Sequence, residues 1–139
     1  MNAEAACPLC APQNETVLWR NALLRVILAN DPNYPGFCRV IVNRHVKEMT
    51  DLAPDERAQV MAVVWTVESV LRALLSPDKI NLASLGNVVP HLHWHVIPRF
   101  ADDRHFPDPV WAAPRREGVA HAVDVARLRQ RLAESLGGT

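Results

Sequence analysis

An antiparallel sheet with one long helix packed on it, closed by an amphipathic C-terminal segment, is the fold the sequence predicts. Three observations predict it. Short runs of β-branched residues are separated by Asn/Asp/Pro/Gly turns. One uninterrupted stretch carries a single apolar stripe between clear start and stop signals. A further stretch alternates polar and apolar residues with period two. The composition can support such a core: of 139 residues, 49% are hydrophobic and 22% charged, which suits one ordinary globular domain over 1–139.

In chain order, residues 1–15 are polar or small and contain Cys7-Pro-Leu-Cys10, an irregular segment that needs an anchor other than packing. Strands follow at Val17–Trp19, Leu23–Leu28 and Arg39–Val42, read as an antiparallel meander. Between the last two, Asn30-Asp-Pro-Asn-Tyr-Pro-Gly36 marks a loop able to reach a ligand. The helix runs from Pro54 to Leu75. Proline sits in its first turn, Asp55 and Glu56 lie at the positive end of its dipole, and Ser76-Pro77 stops it. Val60, Val63, Val64, Val67, Val70, Leu71 and Leu74 recur at three- and four-residue steps, so that stripe should face a sheet. Ile80–Leu85 and His91–Phe100 read as two more strands joined by a turn at Gly86–Pro90. A Pro-rich loop and an amphipathic segment from Val123 to Leu136 complete the chain.

Fifteen basic residues balance fifteen acidic ones, so the molecule lacks the positive field and the basic-aromatic stripe of a nucleic-acid binder. The N-terminus has neither a cationic start nor a long apolar run, and no later run reads as a bilayer span. A cytoplasmic protein without a membrane partner is the expectation. Three cysteines do not make a disulfide framework, and the C-x-x-C pair points to metal or redox chemistry. A thioredoxin-like role is disfavoured because the pair does not follow a strand and open a helix. A metal at Cys7 and Cys10 would need further ligands from elsewhere, which histidines can supply. Cys38 reads as a buried apolar residue.

Residues 91–97 read His-Leu-His-Trp-His-Val-Ile. In a strand His91, His93 and His95 would share one face, with Leu92, Trp94 and Val96 facing the core. Successive imidazoles would be about 6.5–7 Å apart, too far for three to grip one ion, so separate tasks are expected of them. Histidine is a costly choice for a passive surface, because its proton equilibrium lies near neutral pH.

This motif resembles the signature of the histidine triad (HIT) superfamily of nucleotide hydrolases and transferases. Pro98-Arg99 after it, and the Asn30–Gly36 loop, strand and Arg44-His45-Val46 before it, extend the likeness over roughly residues 7–100. The resemblance implies an α+β fold with about five antiparallel strands, a long packed helix and a two-fold dimer. It implies that His93 is the nucleophile, attacking the α-phosphorus of a nucleotide to form a nucleotidyl-imidazole intermediate that water or another acceptor resolves. The second ring nitrogen of His93 would donate to a fixed acceptor, expected to be a backbone carbonyl. His95 would bind and polarise the phosphate oxygens. Asn87 stands where the family commonly has a glutamine touching the phosphate, although Gly86-Asn87 also reads as a plain turn. In branches beginning with C-x-x-C, structural zinc is also held by two histidines, which correspond here to His45 and His91 beside Cys7 and Cys10.

Other positions carry two readings each. Asn30, or Ala29 beside it, falls near the place where relatives bind the ribose hydroxyls. Phe37 follows Gly36 where many relatives have Gly-His. Arg99 can neutralise phosphate or be a solvated charge, and Leu18, Trp19, Val26 and Leu28 can sandwich a base or form core. Trp111 can cover the C-terminal side or help choose the substrate, while His105 and His121 are expected to face solvent. The leading reading is an enzyme that releases a nucleoside monophosphate from a dinucleoside polyphosphate or a phosphoramidate, with adenosine the expected base. The competing class is a nucleotide-binding regulatory module with little turnover. Loss of turnover on replacing His93 separates the two. A zinc-stabilised nucleic-acid module is third, disfavoured by the charge balance.

Overall fold

The computed structural model describes residues 6–137. Five strands, β1 (Thr16–Arg20), β2 (Leu24–Leu28), β3 (Cys38–Val42), β4 (Lys79–Ala83) and β5 (His93–Arg99), form one antiparallel sheet in the order β1-β2-β3-β5-β4. Asn21 shapes the first hairpin by accepting from the backbone N–H groups of Leu23 and Leu24. The loop between β2 and β3 closes against Leu71, Leu75 and Pro98, and a Cβ at Gly36 would lie 2.7 Å from Leu75 Cδ1, so a larger residue there would push that side-chain tip aside.

Helix α1 (Pro54–Leu75) has the predicted bounds. Its first turn is fixed by Glu56, which accepts from the Ala53 N–H at 2.9 Å and pairs with Arg44 at 2.7 Å. Ser76, in the left-handed conformation with φ 48°, ends it. By length and mean hydropathy alone α1 matches a bilayer-crossing helix. Its buried stripe Val60, Val63, Val64, Val67, Val70 and Leu71 instead packs against Val26, Val40, Val42 and Val96 of the sheet. Helix α2 (Val125–Leu136), capped by Asp124, adds Leu128 and Leu132 to the same core. Leu18, Trp19, Val26 and Leu28 belong to this core as well, as one of their two readings expects, and Leu28 also borders the cavity beside the N-terminal segment.

One sheet face is thus covered by helices. The other carries Arg25, Ile27, Arg39, Ile41, His93 and His95, because directly paired residues of antiparallel strands share a face. The structure departs from the sequence-based expectation at the start of β5. The strand begins at His93, not His91, and β4 ends at Ala83, so residues 84–92 form a loop rather than a tight turn. His91 and Leu92 lie just ahead of the strand, where the Leu92 N–H donates to Val46 O and the His91 N–H to Val89 O. The expected three-imidazole row is therefore two imidazoles on the strand and one at its threshold.

Candidate active site and metal centre

His93 is buried, and its Nδ1 lies 2.5 Å from the His91 carbonyl oxygen. A carbonyl can only accept, so Nδ1 carries the proton and Nε2 keeps its lone pair. Burial pushes the His93 imidazole below its ordinary pKa, against the effect of that hydrogen bond, and the Arg39 charge adds to the lowering. Burial likewise lowers His95, to about 4, helped by His93 and Arg39. Both rings are neutral at neutral pH. Their centroids lie 4.9 Å apart, and His95 is ringed further by Phe37 and Trp111. The Ser84 hydroxyl donates to the His93 carbonyl at 3.0 Å, tying the loop after β4 to the triad strand.

His91 turns the other way. Its Nε2 lies 2.5 Å from Val42 O, so that nitrogen donates and Nδ1 presents a lone pair. Cys7 Sγ and Cys10 Sγ both lie 3.3 Å from that Nδ1, and His45 Nδ1 lies 3.2 Å from it. Cys10 Sγ is also 3.2 Å from His45 Nδ1. The four ligand atoms fall within 4.8 Å of one another. A tetrahedral ion with metal–nitrogen bonds of about 2.0 Å and metal–sulfur bonds of about 2.3 Å needs ligand separations of about 3.3–3.8 Å. The cluster fits that demand, and the Val42 carbonyl supplies the outer hydrogen bond that orients a ligating imidazole. Cys7, Cys10, His45 and His91 can hold a metal ion.

A second anchor of the N-terminal segment was not legible in the sequence. Arg25, buried in β2, pairs with Glu15 at 2.8 Å and donates to Leu9 O and Asn43 Oδ1. Its only signal was a charge inside the apolar run Leu-Leu-Arg-Val-Ile-Leu. Together these ties place residues 6–15 beside β2 and wall an open cavity of about 520 Å³, lined also by Ile27, Leu28, Ala29, Asn30 and Arg39. Asn30, with φ 57°, exchanges hydrogen bonds with Thr16 Oγ1 at the rim. Asn87 is exposed in the loop that leads to His91.

Arg99 lies elsewhere. It is 2% exposed and grips Asp103 through two hydrogen bonds of 2.8 and 3.0 Å, with Asn81 Oδ1 taking a third. This overturns the solvated reading of Arg99, whose guanidinium is buried and committed to Asp103 and Asn81. Burial works to raise the Asp103 pKa, yet Arg99 and the N–H groups of Phe100, His105 and Phe106 hold its carboxyl well below the usual range. Tyr34 OH donates to Asp103 at 3.0 Å and lies 2.7 Å from His105 Nδ1. His105 is therefore buried, not solvent-facing as expected, because Asp103 draws the loop inward. His121 is half-buried, 2.7 Å from Asp102 and stacked on Phe100. This network fixes the root of the loop that carries Trp111 to within 5.0 Å of His95, centroid to centroid.

An antiparallel sheet with two cross-facing imidazoles, a Cys/His cluster at the threshold of their strand and a cavity on the same face defines a class of α+β proteins. Residues 11–102 match the HIT domain model, and the chain belongs to that family. It is 30% identical over 105 residues to the AP-4-A phosphorylase of Mycobacterium tuberculosis, an overlap of 71% of this chain and 54% of that protein. It is 31% identical over 93 residues to the asymmetrical bis(5'-nucleosyl)-tetraphosphatase of Schizosaccharomyces pombe, covering 63% and 51% respectively. The chain thus spans about half the length of these relatives. A histidine triad protein from Bradyrhizobium japonicum matches it over 88% of this chain and 89% of its own, with a TM-score of 0.69 and 30% identity.

Proposed function

We propose that the chain is a nucleotide hydrolase or nucleotidyl transferase that acts at the α-phosphate of a nucleotide through His93. The observation that carries this reading is the locked ring: the His91 carbonyl holds Nδ1–H, so the Nε2 lone pair is the atom presented to substrate. In the proposed first step Nε2 forms a bond to the α-phosphorus. The bond from phosphorus to the leaving-group oxygen or nitrogen breaks, and its electron pair leaves with that group, which takes up a proton. In the second, water attacks the same phosphorus, the N–P bond breaks, and His93 returns to its neutral form as a nucleoside monophosphate departs.

His95, neutral and beside His93, would donate to the phosphate oxygens as charge develops on them. Asn30, which lines the cavity, would meet the ribose hydroxyls, and the exposed Asn87 would meet the leaving group. The names of the two relatives favour a dinucleoside polyphosphate, with adenosine as the base. Zinc is the ion best suited to two thiolates and two imidazoles in closed tetrahedral array. Bound there by Cys7, Cys10, His45 and His91, it would brace the N-terminal segment and the start of β5 and leave the chemistry to His93 and His95.

Incubation with a panel of labelled nucleotides followed by intact-mass measurement tests the reading. One nucleoside monophosphate adduct that maps to His93 is expected, as is a drop in turnover of roughly 10³-fold or more for His93→Ala. Turnover unchanged in that variant would defeat the enzyme assignment.

A further inference from the structure

Among the arginines on the open face of the sheet, two hold carboxylates. Arg25 has Glu15, Asn43 and Leu9 O; Arg99 has Asp103 and Asn81. Arg39 differs. Its Nε is buried without a hydrogen-bond partner, and among the described residues it forms no ion pair with a carboxylate. Asp31 is the acid that acts on it, through its field only. The guanidinium lies over the Phe37 ring, 5.5 Å from the centroid, which fixes its plane without neutralising its charge. A half-buried cation left in this state destabilises the fold unless something else supplies its counter-charge.

Its place in the sheet indicates what that is. Arg39 pairs directly with His95 across the β3–β5 ladder, and it lines the cavity that holds Ala29 and Asn30 at its rim. His95 Nδ1 is the other buried polar side-chain atom without a partner among the described residues. Two unsatisfied buried nitrogens therefore lie on directly paired residues of one sheet face, one of which lines the cavity while the other touches His93. We infer that Arg39 and His95 together hold the phosphoryl group of a bound nucleotide, making Arg39 a phosphate-binding residue of this chain. The guanidinium offers two N–H groups in the planar fork that suits phosphate oxygens, and a neutral His95 protonated at Nδ1 offers a third. The inference rests on the reading of this face as a nucleotide site and goes beyond it by naming the cation that recognises the phosphate.

Equilibrium titration of the full chain with AMP and with adenosine tests it, using wild type, Arg39→Gln and Arg39→Lys. Removal of a charge-assisted hydrogen bond from a partly buried site is expected to weaken AMP binding roughly tenfold to a hundredfold in R39Q. Adenosine, which has no phosphate, should change by less than about threefold, and R39K should recover part of the AMP affinity without recovering the forked geometry. Because Arg39 has no carboxylate partner among the described residues, the R39Q melting temperature should stay level or rise. Equal losses for AMP and adenosine, a fall in melting temperature without selective loss of AMP, or no AMP binding by wild type would each overturn the inference. Failure of the enzymatic reading looks different. Arg39-dependent AMP binding with no adduct at His93 would leave this inference standing, whereas adduct formation with AMP affinity indifferent to Arg39 would remove it alone.

Discussion

At the residue scale the chemistry turns on which nitrogen of each imidazole carries a proton. The backbone answers for His93 and His91, whose partners are the carbonyls of His91 and Val42. The spacing of the imidazoles along a strand suggested separate tasks for the histidines, and their surroundings differ accordingly: His91 lies beside the sulfurs of Cys7 and Cys10, while His93 and His95 lie on the open face of the sheet. His95 has a measurable consequence for stability. Burial lowers its folded-state pKa from 6.5 to about 4, so between those values the unfolded chain binds a proton that the folded chain refuses. Its contribution is complete above pH 6.5, falls as pH drops through the window, and has lost roughly 3 kcal/mol near pH 4. Denaturant unfolding of wild type and His95→Asn from pH 7 to 4 checks this. The variant should lose that part of the pH slope, and parallel curves would rule the account out.

At the scale of elements, the N-terminal segment and the loop after β5 are both held by side chains rather than by hydrogen-bonded ladders. The segment around Cys7 and Cys10 is tied down by the cluster it forms with His45 and His91 and by Arg25–Glu15. Elemental analysis is expected to find about one zinc per chain, and chelation should lower the melting temperature and open residues 6–15 to proteolysis. A zinc content near zero would remove the Cys₂His₂ proposal. The second loop is rooted on Asp103, which accepts from Arg99, Tyr34 and three backbone N–H groups. Asp103→Ala leaves a buried guanidinium unpaired and should cost about 3–5 kcal/mol in denaturant unfolding. Trp111, held against His95 by this loop, should change its fluorescence in the same variant. From the sequence, Arg99 read as a phosphate-neutralising or a solvated charge, and His105, outside any motif, as solvent-facing. Four-residue spacing between Arg99 and Asp103 was the available sign of their pairing, and in a loop that spacing carries no helical meaning.

At the scale of the whole molecule, β4 ends the sheet with one edge unpaired, and Leu82 and Leu85 near it are exposed. An open edge flanked by apolar side chains is a surface that proteins usually cover. The homodimer expected from the resemblance would cover it, and light scattering on the eluting protein should then return twice the chain's mass. A monomeric mass at micromolar concentration would exclude a stable dimer.

By itself the sequence determined the strands of the meander, the bounds of α1 and the triad motif, because those signals are periodic and local. A stripe at helical spacing or an alternation at strand spacing needs no knowledge of distant residues. It also pointed to the C-x-x-C pair as half of a metal site, and the resemblance supplied the other half. Only the tertiary structure decided where β5 begins, that Arg99 is buried against Asp103, and that Arg39, across from His95, has no ion-pair partner among the described residues. Those outcomes depend on which charges burial brings together. Arg25, Arg39 and Arg99 are alike in a string of letters and become different only when carboxylates pair with Arg25 and Arg99 and, among the described residues, none pairs with Arg39.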